Sequence, residues 1–163
     1  MDELMLFVDG SVNPQSNIGY GAYLAVSERG LAPEALRTRV KVRRFEHTSS
    51  AKLELQTLLW ALGDIQATGR KVMVYTDSQN TLGLPARRAR LEKNDYHSKT
   101  HKRLKHDELY QAFYRVIDRL DCGLVKVRGH QAANQKNEIA RLFTLVDRAS
   151  RQALRAEGEQ LDH

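Results

Sequence analysis

The sequence predicts an α/β fold organised around a mixed β-sheet, and three observations predict it. Leu4-Met5-Leu6-Phe7-Val8 is an unbroken apolar run that stops at Asp9-Gly10-Ser11. Such a run suits a short central strand buried on both faces. Lys71-Val72-Met73-Val74-Tyr75-Thr76-Asp77-Ser78-Gln79 repeats the pattern, an apolar strand ending at an acid and then a hydroxyl. Between the two lies a helical pattern long enough for a crossover, which allows the second strand to run parallel to the first. Asp9 and Asp77 then emerge at one carboxyl edge of the sheet, where open α/β sheets take ligands.

In chain order, Val12 to Asn17 reads as a turn. Gly19 to Val26 reads as a second strand, antiparallel to the first, in which Gly19 and Gly21 mark a bulge or a close backbone approach. After a loop at Gly30 and Pro33, Leu36 to Phe45 reads as an exposed third strand with Arg37, Arg39, Lys41 and Arg43 on one face. His47-Thr48-Ser49-Ser50 supplies N-cap candidates for a helix over Ala51 to Thr68, with Leu55, Leu58, Leu59, Leu62 and Ile65 at helical spacing and Gly69 as the stop. Glu54 falls in the first turn of that helix, on the side that faces the core. A second helix is expected over Asp107 to Leu120, stopped by Asp121-Cys122-Gly123. Leu124 to Arg128 is the last expected strand, running into Gly129-His130-Gln131. From Asn137 onward Ile139, Leu142, Phe143, Val146, Ala149, Ser150 and Ala153 fit an amphipathic helix.

A length of 163 residues suits one domain, taken as residues 1–157, with a frayed tail over 158–163. The chain has no run long enough for a membrane span, and Met1-Asp2-Glu3 lacks the basic start of a signal peptide. Cys122 is the only cysteine, which fits a reducing compartment. A cytoplasmic monomer is expected. Charge is distributed unevenly. Between Pro85 and His106 eight basic residues face two acids, an excess equal to the +6 of the whole chain. A neutral body carrying a basic insert points to a polyanion partner, against the alternative of a solvated loop. No GxxxxGK[ST] phosphate loop is present, which argues against a nucleotide phosphotransferase.

An acid at the end of a central strand has two readings, an Asp-Gly turn or a metal ligand whose cation offsets the burial of charge. The ordered set narrows the choice. Asp9-Gly10-Ser11-Val12-Asn13-Pro14, Glu54 on a helix, Thr76-Asp77-Ser78-Gln79, Val127-Arg128-Gly129-His130, and Asp147-Arg148-Ala149-Ser150-Arg151 on a final helix occur in one order. From Leu4 to about Leu154 the chain resembles the type 1 ribonuclease H family. The resemblance implies a five-stranded mixed sheet of order 3-2-1-4-5 flanked by helices. It also implies an endonuclease that cuts the RNA strand of RNA–DNA hybrids, leaving 5′-phosphate and 3′-hydroxyl ends.

Carried onto this sequence, the family's acidic cluster falls on Asp9, Glu54, Asp77 and Asp147, and its histidine on His130. The implied cofactor is two Mg²⁺ ions, with Mn²⁺ as a substitute. Two divalent ions about 3.5–4 Å apart activate a water and stabilise the leaving oxygen, and hard ions of this kind take oxygen ligands. Asp9 would bridge both ions, Glu54 and Asp77 hold one, Asp147 help hold the other, and His130 assist proton movement or product release. Asn13, Ser50 and Gln79 fall on substrate-contact positions, with Arg87, Arg88 and Arg90 against the phosphates of the DNA strand.

The sequence departs from the family pattern in three places. Ser50 and Ala51 stand where two asparagines are common, the basic segment resembles the family's only in charge, and the stretch from His130 to Asp147 is long. That length leaves two arrangements open. Either Asp147 lies several turns into one helix, or the helix restarts at Thr144, where Thr144-Leu145-Val146-Asp147 fits a capping box. Glu138 is the alternative fourth ligand, and an ion pair with Arg151 at i+4 the alternative role for Asp147. The competing functions are a nuclease of the same fold acting on another nucleic acid, and a hybrid-binding module without catalysis.

Overall fold

The computed structural model describes residues 3–27, 32–65, 69–127 and 138–161. Its central strand is β1 (Glu3–Asn13), which pairs antiparallel with β2 (Ile18–Val26) from Met5↔Val26 to Asn13↔Ile18. On its other side β1 pairs parallel with β4 (Lys71–Thr76), but only from Glu3↔Lys71 to Phe7↔Tyr75. β3 (Lys41–Phe45) closes one edge against β2, and β5 (Cys122–Lys126) the other against β4. The order is β3-β2-β1-β4-β5, as the resemblance implied.

Strand alternation divides the core into two layers. Leu4, Leu6 and Val8 join Val72 and Val74 under α2 (Ser50–Asp64) and α5 (Asp107–Arg119), whose Leu55, Leu58, Leu62 and Phe113 are buried there. Met5 and Phe7 face the opposite way, onto Leu142, Phe143 and Val146 of α6 (Glu138–Leu161) and onto Leu36 of the short α1 (Pro33–Arg37). Both faces of β1 are therefore dry, which is why its sequence is apolar at every position from Leu4 to Val8. Burying each such side chain contributes about 1.5–3 kcal/mol. Among the described residues no helix is long and apolar enough to cross a membrane.

α2 lies unusually close to the sheet because glycine removes the side chains between them. Gly10 and Gly21 are direct partners across β1 and β2. A Cβ on Gly21 would fall 2.1 Å from Thr57 Oγ1, and one on Gly10 2.9 Å from Leu53 Cδ2. The glycine signal in the second strand thus means close approach, and the ladder runs through it without a bulge. Glu54 lies between Leu53 and Thr57, so this approach carries it to the sheet edge.

Several elements differ from their expected bounds. β1 continues through the expected turn to Asn13, and the turn occupies residues 14–17. Arg37 belongs to α1 and Arg39 to the turn that follows, so the four-residue basic face reduces to Lys41 and Arg43 on β3. Pro33 at the start of α1 presets a helical φ, which the reading of Pro33 as a loop marker overlooked. α2 ends at Asp64, before Gly69, and Glu54 is its fifth residue, one past the first turn. β5 starts at Cys122, two residues early. After β4 comes the short α3 (Gln79–Leu82), and the basic segment resolves into most of α4 (Leu84–Lys93) and a loop pinned by a His97↔Arg103 bridge. α6 is one unbroken helix through Thr144 and runs to Leu161, well into the stretch expected to fray.

Candidate active site

β1 outlasts its parallel ladder with β4 by six residues, and the gap this leaves at the carboxyl edge is where the acids gather. Asp9 shares the face of Met5 and Phe7, toward α6. Asp77 follows Thr76, the last residue of β4. Asp9, Glu54 and Asp77 line one small cleft with Thr57 and Thr76. Asp147, in the third turn of α6, brings its carboxyl within hydrogen-bonding reach of Asp9. Four acids from β1, α2, the end of β4 and α6 thus meet. Glu138 is exposed at the start of α6, nine residues and about 14 Å of helix rise from Asp147, and lines no part of this cleft.

The electrostatics of the group are those of crowded like charge. Burial pushes the Asp9 carboxyl up to about 8, and the charge of Asp77 and the nearby Asp147 add to the rise, while the Gly10 amide opposes it. Glu54 is also raised, by burial first and by Asp77, against the hydrogen bond it accepts from Ser78. Asp77, exposed at the mouth of the cleft, is raised by partial desolvation and by Asp147; its own backbone amide and Arg151 oppose the rise. Repulsion of this kind is relieved by protons or by a cation.

Neighbouring side chains hold the acids in place. Ser78 Oγ donates to Glu54 Oε2 at 2.6 Å and accepts from the Thr81 amide as N-cap of α3. Ser150 is fully buried, and its hydroxyl donates to the Asp147 carbonyl at 3.0 Å and lies 3.1 Å from Ser11 Oγ. That pair fastens the Asp147 turn of α6 to β1 two residues beyond Asp9. Arg151 Nε donates to Asp147 Oδ1 at 2.9 Å. Thr57 Oγ1 is buried at the cleft with no hydrogen-bond partner among the described residues. Among the described residues no three His, Cys, Asp or Glu side chains form a close-set ligand group. The donor set nevertheless fits a hard divalent cation, since it is all carboxylate oxygen and strained by its own charge.

Compared with known protein families, residues 1–154 match the family described as RNase H. The chain belongs to the RNase H family. Its sheet order and the flanking helices are those of the RNase H fold.

Within that RNase H frame the remaining expected residues are scattered. Asn13 ends β1, and its Oδ1 accepts from the Gln15 amide at 2.9 Å. Ser50 and Gln79 are exposed first residues of α2 and α3. His130 lies outside the described residues. Arg87 is half-buried and donates through Nη2 to the Asn80 carbonyl and to Asn80 Oδ1 at 2.9 and 2.8 Å. Arg88 makes a two-pronged pair with Asp118 at 2.6 and 2.7 Å and a further contact with Glu92 at 2.6 Å. Both are engaged within the fold, whereas Arg90 is exposed.

A groove of about 560 Å³ that the sequence reading missed lies between the start of α2 and the start of α5, lined by Lys52 and Lys105, by Asp107 and Glu108, and by His47 and His106 among others. Burial, then Lys105 and Lys52, hold the His106 ring below the usual histidine range. Lys105 and His106 were visible as part of the basic segment. Their nearness to Lys52 requires two helices to start side by side, which no local pattern reveals.

Proposed function

We propose that this RNase H protein is a divalent-metal-dependent endoribonuclease that hydrolyses the RNA strand of RNA–DNA hybrids, leaving 5′-phosphate and 3′-hydroxyl ends. The observation that carries the reading is the convergence of Asp9, Glu54, Asp77 and Asp147 from four elements, with the Asp9 carboxyl pushed up to about 8. A binding module has no use for crowded carboxylates beside phosphates, which they repel.

Asp9 would be shared by two ions, with Glu54 and Asp77 on one and Asp147 on the other. When bound, the two ions supply an activated water and charge stabilisation on the leaving oxygen. The Ser78 hydroxyl sets the orientation of Glu54, and the Ser11–Ser150 pair sets that of the Asp147 turn. His130 would move the proton or speed product release. Asn13, Ser50 and Gln79 would read the minor groove, where 2′-hydroxyls distinguish RNA from DNA. Lys52 and Lys105 would take phosphates along the groove, with Arg90 as the accessible arginine of α4. The protein would act as a monomeric single domain in the cytoplasm.

Three labelled substrates of one sequence test the reading: an RNA–DNA hybrid, duplex RNA and duplex DNA, each with Mg²⁺ or with EDTA. Cleavage confined to the RNA strand of the hybrid, present with Mg²⁺ and lost in EDTA, is the expected result. Equal cutting of duplex DNA, or cutting that survives EDTA, would refute it.

A further inference from the structure

Arg151 is a cation that the proposed reaction does not use. It sits one turn after Asp147 on α6, and its Nε reaches Asp147 Oδ1 at 2.9 Å. Its charge extends to Asp77, where it opposes the push of Asp147. The Arg151 side chain is 62% exposed and that of Asp147 29%, so the guanidinium reaches Asp147 from the solvent side. An i,i+4 pair on an ordinary helix surface adds little. Here the pair engages a carboxylate that also crowds Asp9.

We propose that Arg151 is a built-in counter-ion of the acidic cluster, which holds Asp147 when no divalent ion is bound and competes with that ion for the same carboxylate. The proposal rests on the metal-dependent reading above. The competition is electrostatic: the guanidinium, with Nε 2.9 Å from Asp147 Oδ1, offsets part of the negative charge that a divalent ion would bind. Two effects of opposite sign follow. Arg151 stabilises the metal-free fold by offsetting carboxylate repulsion, and it weakens metal binding by placing a like charge beside the ion.

The test is calorimetric titration of Mg²⁺ into the full chain, for the wild type, Arg151→Gln, Arg151→Lys and Arg155→Gln, with thermal unfolding of each in EDTA and in saturating Mg²⁺. Arg151→Gln is expected to bind Mg²⁺ roughly three- to tenfold more tightly. It should also unfold at lower temperature than the wild type in EDTA, with the gap closing in Mg²⁺. Arg151→Lys, which keeps the charge, and Arg155→Gln, one turn further along α6, should stay near wild-type affinity. Unchanged or weaker binding by Arg151→Gln, while the wild type binds, overturns the proposal and leaves the metal reading standing. Absence of Mg²⁺ binding in every protein would remove the metal reading and this proposal with it.

Discussion

Ser78 shows how closely the single residues of the cleft are specified. Its hydroxyl donates to Glu54 Oε2 at 2.6 Å while its oxygen caps α3 by accepting from the Thr81 amide. Removing it with Ser78→Ala frees the Glu54 carboxylate and uncaps a helix. The expected cost is about 1 kcal/mol of stability and about a tenfold loss in kcat with KM little changed; steady-state kinetics alongside thermal unfolding separate the two. The raised acids set a second expectation. In EDTA the native state keeps protons on Asp9, Glu54 and Asp77 above the pH at which the unfolded chain has released them. Stability must therefore fall as pH rises from about 4 toward 8. Asp64, held low by Tyr23 and Lys41, and Glu157, held low by Arg44 and Tyr20, act in the opposite direction and lose their contribution as the medium turns acid. Unfolding temperatures measured from pH 4 to 8 in EDTA should decline, and Mg²⁺ should flatten that decline; a rising profile in EDTA would contradict the crowding of charge. At this scale Asp9 and Asp77 were legible, because an acid that ends a fully apolar run is conspicuous. Ser150 was not, since nothing local says that a polar residue on an apolar stripe will meet Ser11 from the other end of the chain.

At the scale of elements, the approach of α2 to the β1–β2 pair decides where Glu54 lies. Gly21→Ala puts a methyl where Thr57 already stands. Overpacking of this kind costs about 1–3 kcal/mol, and here it also lifts Glu54 away from Asp9, so activity should fall further than stability alone explains. Part of both losses should return in Gly21→Ala/Thr57→Ala, which a double-mutant cycle would measure. α6 is held at its far end by Glu157, which accepts from Tyr20 Oη at 2.6 Å and from Arg44 Nε at 2.5 Å. This clasp and the Ser11–Ser150 pair fasten the 24-residue helix to the sheet at two points C-terminal to Asp147. The long elements were readable because their periodicity is strong: Ile139, Leu142, Phe143 and Val146 continue through Thr144 without a phase change. The short ones were not. Five-residue α1 offers too few turns to show a period, and Cys122-Gly123 resembles a helix stop although Gly123 lies in β5, opposite Met73 of β4.

For the whole molecule, the net charge of +6 lies in one segment, whose basic residues differ in what they face in the fold. Arg87 and Arg88 are committed to Asn80 and Asp118, while Lys52, whose Nζ donates to the His47 carbonyl at 3.1 Å, and Lys105 line an open groove. Lys52→Ala with Lys105→Ala should lower the salt slope of hybrid binding by about 1–2. Arg88→Ala should mainly lower stability and leave that slope alone. Fluorescence anisotropy over a salt series distinguishes these, and an unchanged slope in the lysine pair would move the phosphate path elsewhere. The sheet order came from resemblance, and the parallel pairing of β1 with β4 was readable from two apolar runs separated by a crossover helix. That Asp9 and Asp77 share one edge was readable from the same two runs, and their grouping with Glu54 and Asp147 came from the resemblance; the gap left where β1 outlasts its parallel partner was not readable. The central claim is that acids from four elements act as one metal-holding unit. Its most direct test is Mg²⁺-dependent cleavage of a labelled hybrid by the wild type, Asp9→Asn and Asp77→Asn at matched folded concentration. The account predicts a loss of at least about a hundredfold in each variant, with the fold intact. Full activity in either variant would contradict it.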